Sequence, residues 1–331
     1  MSDGKLYLTG VKPTGELHFG NYIGAIKQAC DLSQDNKMIV FIADLHALNA
    51  VRDAGVVREN TYRAAAVIMS LGFNMDNVLL FRQSDIDAVY KLTELLMNVT
   101  PKGLMDRAHS YKAMVDKNTA AGVDADAGVN MGLYTYPILM AADILLYDTD
   151  IVPVGADQKQ HVEFARDIAG HFNAIYGNMF KLPDVRILPN AGVLPGLDGR
   201  KMSKSYDNEI ALMAPQSELK KKIMRIITDS KTPEESKDPE ESTIFQIYRH
   251  FATDDEVVRF AEMFRAGGMG YGTAKTILFE KLDSVLAKKR ERYEYLMTHR
   301  DEIDAALAHG AEIARKIADK KIAKIMKAMV G

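Results

Sequence analysis

The feature that most constrains the fold is a run of consecutive apolar residues at positions 38–43, MIVFIA. A strand this uniformly apolar is typical of a parallel sheet covered on both faces, because a strand with one wet face would alternate. Shorter strand-like segments occur at 6–11, 78–81 and 151–154, with helix-like segments between them. This alternation predicts right-handed βαβ units in an α/β fold with a doubly wound, parallel, Rossmann-like sheet.

The helix-like segments divide the chain into two parts. Helices of the first part are predicted at residues 59–71, 89–99 and 158–172. After residue 207 the apolar residues keep a helical spacing without a comparable strand signal. An acidic loop with two prolines interrupts this part at 231–242. The sequence therefore predicts an α/β part at 1–207 followed by an all-α part at 208–331.

Composition limits the classes of function. Of the 331 residues, 47% are hydrophobic and 26% are charged, the balance of a globular protein and not of a disordered one. The net charge of −3 excludes a protein that coats nucleic acid through a uniformly basic surface. Residues 281–331 nevertheless hold twelve Lys or Arg against eight Asp or Glu, a local net charge of +4. This basic end is either a solvated helix face or an RNA-facing surface.

The sequence also indicates the cellular compartment in which the protein works. Cys30 is the only cysteine, which excludes an intramolecular disulfide and a cysteine zinc site and favours the reducing cytoplasm. The first residues show no signal-peptide pattern, and no apolar run has the length of a membrane span. We therefore expect a cytoplasmic protein without a membrane contact.

The first segment that carries chemistry is 13–24, PTGELHFGNYIG, which follows the first predicted strand. In a β–α turn, free backbone N–H groups and a helix N-terminus favour phosphate. Gly15 and Gly20 allow close backbone approach, and His18 and Asn21 can place polar groups beside a nucleotide. The segment contains neither G-x-G-x-x-G nor G-K-[ST], so it matches neither the dinucleotide fingerprint nor the P-loop.

The second segment is 201–205, KMSKS, in a region rich in Gly and Pro. Its lysines can neutralise a polyphosphate as charge develops on it, although a solvated basic loop has the same composition.

The third segment is 134–172, in which Asp143 interrupts a long apolar run. A carboxylate there is either a buried group that accepts a ligand N–H or an acid on the polar side of a helix. Asp157 and Gln158 follow the strand at 151–154, where a doubly wound sheet presents ligand groups.

These segments together resemble a known family. HFGN at 18–21 resembles the HIGH signature of the class I aminoacyl-tRNA synthetases, and KMSKS at 201–205 matches their second signature letter for letter. The stretch 139–169, which begins LMAADILLYDTDIVPVGADQ, resembles the bacterial tryptophanyl-tRNA synthetases within that class. The resemblance implies that tryptophan attacks the α-phosphate of Mg²⁺-bound ATP, giving an adenylate and pyrophosphate, and then passes to its tRNA.

The resemblance also implies roles for individual residues. The catalytic groups would be His18, Lys201 and Lys204. The contacts to ATP would come from Lys12, Pro13, Thr14, Gly20, Asn21, Gly155, Ala156, Asp157, Val193, Lys201, Met202, Ser203, Lys204 and Ser205. Asp143 would accept the indole N–H of tryptophan. The rest of the tryptophan site would be Leu8, His46, Met140, Val152 and Val154 around the indole, with Tyr136 and Gln158 at the α-amino end.

For partners, the resemblance implies a homodimer bridged by tRNA(Trp). Its Rossmann-like catalytic domain would be 1–207 and its helical, anticodon-binding domain 208–331, with Lys220, Arg225 and 288–290 on the tRNA side. The chain departs from the family pattern at two positions, because Asn21 replaces the second histidine of HIGH and Lys12 stands where many members have glutamine.

Three alternatives remain open at this point. A tyrosyl-tRNA synthetase would use Asp143 to bind a phenol hydroxyl, but the tryptophan-like register of 140–161 argues against it. A nucleotidylyltransferase that does not act on tRNA could share the H-x-G-[HN] loop, yet it would not need the helical part. A non-catalytic RNA-binding paralogue should lose catalytic residues, whereas His18, Lys201 and Lys204 are present.

Overall fold

The computed structural model describes residues 4–155, 158–187 and 194–331. Its centre is a five-stranded sheet in the order β3-β2-β1-β4-β5, in which every pair of neighbouring strands is parallel. The strands are β1 Tyr7–Val11, β2 Met38–Ile42, β3 Val78–Arg82, β4 Ile151–Val154 and β5 Asp184–Ile187. The predicted fold class and the first four strands are confirmed. Strand β5 was not predicted, because this edge strand is mostly exposed and half polar.

Strand β2 is buried on both faces, as its composition predicts. Met38, Val40 and Ile42 belong to one hydrophobic core, whereas Ile39 and Phe41 belong to the core on the opposite face. The two faces follow from the alternation of side chains along a strand.

The helices of the first part cover both faces of the sheet. They are α1 Phe19–Asn21, α2 Lys27–Ser33, α3 Asp44–Ala47, α4 Ala54–Ser70, α5 Asp87–Met97, α6 Lys102–Met105, α7 His109–Ala120, α8 Met131–Leu145 and α9 Lys159–Tyr176. A π-helical segment, Tyr22–Ile26, joins α1 to α2. Helix α4 begins earlier than predicted because the side chain of Asp53 caps it by accepting the backbone N–H of Val56.

The second part is helical, as predicted, and no strand occurs in it between residues 208 and 331. Its helices are α10 Gln216–Met224, α11 Thr243–Tyr248, α12 Asp254–Ala266, α13 Tyr271–Thr298 and α14 Arg300–Val330. The acidic loop at 231–242 is organised by the buried Lys237, whose ammonium donates to the backbone carbonyls of Thr232, Pro233 and Glu235. Among the described residues, no helix is both long and apolar enough to cross a membrane.

The last helix returns to the sheet. Helix α14 packs on the edge strand β3, and a Cβ on Gly310 would lie only 2.0 Å from the carbonyl oxygen of Leu80. Arg315 donates to the backbone carbonyl of Asp85, and the buried Lys321 pairs with Asp148. The end of the chain is therefore anchored on the α/β part, although it follows the other helices in sequence.

Candidate functional site

The carboxyl ends of β1 and β4 border a crevice. These strands are neighbours in the sheet, and the order of the sheet reverses between them, which is where doubly wound folds bind ligands. A cavity of about 400 Å³ opens there against α8. All eight residues expected to bind tryptophan lie on its wall: Leu8, His46, Tyr136, Met140, Asp143, Val152, Val154 and Gln158. The structure thus brings the set together, and its role in binding tryptophan stays a prediction.

Asp143 is the buried acid of this cavity, and its side chain is only 3% exposed. Its Oδ2 lies 3.0 Å from Nε2 of His46, and Nε2 of Gln83 donates to both carboxylate oxygens at 2.9 and 2.8 Å. Burial raises the pKa of Asp143, while the hydrogen bonds from His46 and Gln83 act in the opposite direction. Oδ2 already accepts two of these hydrogen bonds and Oδ1 accepts one, so Oδ1 retains the capacity for one further N–H.

Four polar residues that line this cavity or contact Asp143 from behind its wall were not predicted from the sequence. Gln83 directly follows β3, so its position at the carboxyl end of a parallel strand was a usable signal. His161 lines the cavity, and its Nε2 lies 3.2 Å from the hydroxyl of Tyr136. Ser110 donates to that hydroxyl at 3.3 Å. Asn49, also on the wall, donates to the carbonyl of Gly132 at the start of α8.

A second cavity, of about 210 Å³, adjoins the first at the end of β1. Gly10 and Lys12 line both cavities, while Thr14 and Asn21 line only the second. A Cβ on Gly10 would lie 2.6 Å from Cζ of Phe41, so a larger residue would displace this ring, which lines the larger cavity. Partial desolvation lowers the pKa of Lys12. The two cavities therefore share part of their walls at the end of β1, where they border the crevice from two sides.

His18 and Asn21 cap the first helix reciprocally. Nδ1 of His18 accepts the backbone N–H of Asn21, and Oδ1 of Asn21 accepts the backbone N–H of His18. Burial, together with the charge of Lys204, lowers the pKa of His18. The ring is therefore neutral near pH 7, and acceptance at Nδ1 leaves the proton on Nε2. Gly20 fits closely here, since a Cβ would lie 2.9 Å from the His18 ring.

The loop of residues 201–205 meets the first segment through one lysine. Nζ of Lys204 donates to the backbone carbonyl of Thr14 at 3.2 Å. Gly15 leaves room for this contact, because a Cβ there would lie 2.9 Å from Nζ and its φ is +118°. Partial desolvation lowers the pKa of Lys204. Met202 is buried and anchors the loop.

The remaining predicted nucleotide residues differ in their placement. Gly155 lines the larger cavity, while Pro13 is buried beside the crevice without lining either cavity. Lys201 and Ser205 are exposed, and Ser203 caps the short turn that begins at Lys204. Three predicted residues lie outside the described ones: Ala156, Asp157 and Val193.

One residue of the basic cluster at 288–290 does not fit the predicted tRNA surface. Arg290 is buried, and its guanidinium donates to Asp283 at 3.0 Å. It follows Leu282 and Leu286 at helical spacing and so shares their core-facing side of α13. Lys220 and Arg225, by contrast, are exposed.

Comparison with known proteins agrees with this geometry. The model of the family described as tRNA synthetases class I (W and Y) matches residues 5–287. The chain belongs to this family. The tryptophan–tRNA ligase of Pseudomonas aeruginosa is 47% identical over 327 residues, which cover 97% of this chain and 73% of that protein. The corresponding enzyme of Rhodopirellula baltica is also 47% identical, over 94% of this chain and 95% of its own.

Solved structures of this family share the fold along nearly the whole chain. The tryptophanyl-tRNA synthetase of Campylobacter jejuni, crystallised with ADP and tryptophan, is 42% identical with a TM-score of 0.88. The match covers 97% of this chain and 98% of that one. A tyrosyl-tRNA synthetase of Archaeoglobus fulgidus, 20% identical with a TM-score of 0.64, shares the fold alone.

Proposed function

We propose that this chain is a tryptophan–tRNA ligase, which activates L-tryptophan with ATP and transfers it to tRNA(Trp). The observation that carries the proposal is the buried Asp143, held by His46 and Gln83 at the wall of the larger cavity. A carboxylate so placed matches an indole N–H. The names of relatives that are 44–48% identical to this chain support the same substrate.

In the tryptophan site, the apolar residues and Asp143 act together. Leu8, Met140, Val152 and Val154 would surround the indole ring, and Asp143 would accept its N–H. An amino acid without that N–H would leave a buried carboxylate without its ligand partner, which disfavours binding by about 1–3 kcal/mol. Tyr136 and Gln158 would hold the α-amino group, since both lie on the same cavity wall.

In the activation step, an oxygen of the tryptophan carboxylate attacks the α-phosphorus of ATP. A new bond joins the carboxylate to the α-phosphate, and the bond to the bridging oxygen breaks, so that pyrophosphate leaves. We assign to Nε2–H of His18 a hydrogen bond to the α-phosphate. We assign to Lys201 and Lys204 the stabilisation of the charge on the pyrophosphate. Positioning and charge stabilisation of this kind are the main demands of transfer at phosphorus.

The remaining nucleotide contacts belong to the same proposal. The ATP site would include Lys12, Thr14, Asn21 and Gly155, which line the crevice. Mg²⁺ would be carried by the phosphates of ATP. Among the described residues, no group of three or more His, Cys, Asp or Glu side chains is placed to hold a metal ion.

We further propose the partners and the location. The division into a catalytic part at 1–207 and a tRNA-binding part at 208–331 is kept, with α14 anchored on the sheet. Lys220 and Arg225 would face tRNA because both are exposed and basic. The acceptor end of tRNA would receive tryptophan on its terminal adenosine while the protein acts as a homodimer in the cytoplasm, where a single reduced cysteine is stable.

The test is ATP–pyrophosphate exchange with each proteinogenic amino acid in turn. Exchange that depends on tryptophan alone, followed by charging of tRNA(Trp), is the expected result. Exchange with tyrosine would assign Asp143 to a phenol hydroxyl, and exchange with no amino acid would refute the proposal.

A further inference from the structure

The loop at 201–205 is exposed except for the buried Met202 and the half-buried Ser203, and its lysines must nevertheless be held in a defined position. Directly after the loop lies Asn208, which is only 2% exposed. Asp207 precedes it with a left-handed backbone, φ 49°, which turns the chain back beneath the loop. Because buried polar groups are normally hydrogen-bonded, the partners of this amide indicate what it does.

The amide of Asn208 bonds to the loop on both sides of Met202. Its Oδ1 accepts the backbone N–H of Ser203 at 2.8 Å, and its Nδ2 donates to the backbone carbonyl of Lys201 at 3.2 Å. The same Nδ2 donates to Oδ1 of Asp198 at 2.6 Å. These bonds fix the main chain of the loop from its first to its third residue.

The surroundings leave space for this amide and for little else. A Cβ on Gly196 would lie 2.4 Å from Cγ and Nδ2 of Asn208, so a glycine is required there. The backbone carbonyl of Asn208 also accepts the N–H of Leu197 at 2.9 Å. The hydrogen bond from Asn208, followed by the contacts of Arg200, holds the pKa of Asp198 below its ordinary value. Asp198 is therefore a charged acceptor at neutral pH.

We propose that Asn208 is the positioning residue of the 201–205 loop, which it holds in the turn that directs Lys204 to the nucleotide side of the crevice. The proposal rests on the proposed function in its last step, the approach of Lys204 to ATP. Its first step is independent of any activity, because Asn208 bonds to the main chain of Lys201 and Ser203 in the protein alone. Asn208 does not touch the reacting groups.

Substitutions at this position should differ in a defined way. Asn208→Ala removes all the side-chain hydrogen bonds. Asn208→Asp keeps the acceptor for Ser203 but turns a donor into a second carboxylate oxygen facing Asp198, which is unfavourable for like charges. Adding Asp198→Asn to Asn208→Asp restores a donor–acceptor pair with the charge exchanged between the two positions. This double variant should therefore recover much of what Asn208→Asp loses.

A matched control exists elsewhere in the chain. Asn173 also binds main chain with its amide, since it donates to the carbonyl of Phe180 and accepts the N–H groups of Met179 and Phe180. It lies on α9, away from the 201–205 loop. Asn173→Ala therefore removes hydrogen bonds of the same kind and changes stability without changing the loop.

The experiment compares these variants with the unmodified protein in three measurements. They are the melting temperature, the rate of trypsin cleavage after Arg200, Lys201 and Lys204, and the kcat and KM values for ATP and tryptophan in pyrophosphate exchange. Asn208→Ala should speed cleavage in the loop and lower kcat/KM for ATP roughly tenfold or more, since small misplacements of positioned groups have effects of that size. The KM for tryptophan should stay within about twofold, because neither Asn208 nor any residue of the 201–205 loop lines its cavity.

The result that overturns the proposal is a melting temperature that falls, as in Asn173→Ala, with unchanged loop cleavage and unchanged kcat/KM for ATP. Failure of the double variant to recover relative to Asn208→Asp would also count against it. If Asn208→Ala does not fold, the comparison of Asn208→Asp with the double variant decides. If the unmodified protein shows no tryptophan-dependent exchange, the proposed function fails, while the cleavage rates still decide the role of Asn208.

Discussion

The two halves of the crevice are built differently. On the tryptophan side, the decisive groups stand on or directly after regular elements: Asp143 on α8, His46 on α3 and Gln83 directly after β3. Asp143 and Gln83 are buried, His46 is half-buried, and both His46 and Gln83 bond to Asp143. On the nucleotide side, Lys204 stands on an exposed loop and reaches the opposite wall by one hydrogen bond to Thr14.

The difference follows from what each side must do. Discrimination between amino acids needs a buried acceptor whose position is fixed before the ligand binds. An acceptor that could bond to water instead would lose nothing when the ligand lacks a donor, so it would not discriminate. Phosphate recognition needs positively charged side chains that can move towards a large ligand. Loops at the rim of a crevice can supply such side chains. We therefore expect the tryptophan side to be complete in the free protein and the nucleotide side to be completed when ATP binds.

Removal of Lys204 should break the nucleotide side alone and has the largest expected effect. We expect Lys204→Ala to lower kcat for pyrophosphate exchange about 100- to 1,000-fold, as loss of one transition-state donor does. Tryptophan binding without ATP should not change. Lys316→Ala, which removes an exposed lysine on α14, is the control. Near-normal exchange by Lys204→Ala would show that the loop is not part of the site.

Removal of Asp143 should break the tryptophan side. We expect Asp143→Ala to reduce the preference for tryptophan over an analogue with sulfur in place of the indole N–H by about 10- to 100-fold. The measurement is the ratio of kcat/KM values for the two compounds in exchange. Asp167→Ala, at an exposed position of α9, is the control. An unchanged ratio would refute the assignment of Asp143.

Charge reversal on the helical part should leave both halves of the crevice intact. We expect the pair Lys220→Glu and Arg225→Glu to raise the KM for tRNA about tenfold, with a weaker dependence on salt because phosphate contacts are lost. Exchange without tRNA should be unchanged. Lys37→Glu, at an exposed position of the α/β part, is the control. If exchange and tRNA charging fell together, the helices would not act as a separate tRNA surface.

Removal of Gln83 should change the pH dependence of tryptophan binding and so test the tryptophan side by itself. The hydrogen bonds from Gln83 lower the pKa of Asp143, which burial raises. Gln83→Leu should therefore raise that pKa further, so that the binding of tryptophan is lost at a higher pH as the solution is acidified. We expect a several-fold weaker affinity at neutral pH, from the loss of about 1 kcal/mol of hydrogen bonding. An acid limb at the same pH as in the unmodified protein would contradict the role of Gln83.

The sequence predicted the parallel sheet because β2 is apolar at every position, a pattern that few other structures tolerate. It did not predict β5, whose residues carry no such pattern. It predicted the helices of the second part from their spacing, but not the return of α14 to β3, because periodicity shows that a helix has a buried face and not what covers it.

The residues of the candidate site were predicted about as completely as the fold. The resemblance named eight of the residues on the wall of the larger cavity, because they lie in parts of the chain that resemble the family. It did not name Gln83, which is 60 positions from Asp143 and acts only through that contact. The prediction that residues 288–290 lie on the tRNA side was wrong for Arg290. Consecutive residues on a helix point in different directions, and Arg290 faces the core.

The most direct test of the difference between the two sides is the binding of tryptophan without ATP. The chain contains no tryptophan, so the fluorescence of the added amino acid reports its binding. The titration is run with the unmodified protein, Lys204→Ala and Asp143→Ala. We predict equal affinities for the first two and a clear loss for Asp143→Ala. If Lys204→Ala lost as much affinity as Asp143→Ala, the tryptophan side would not be complete in the free protein.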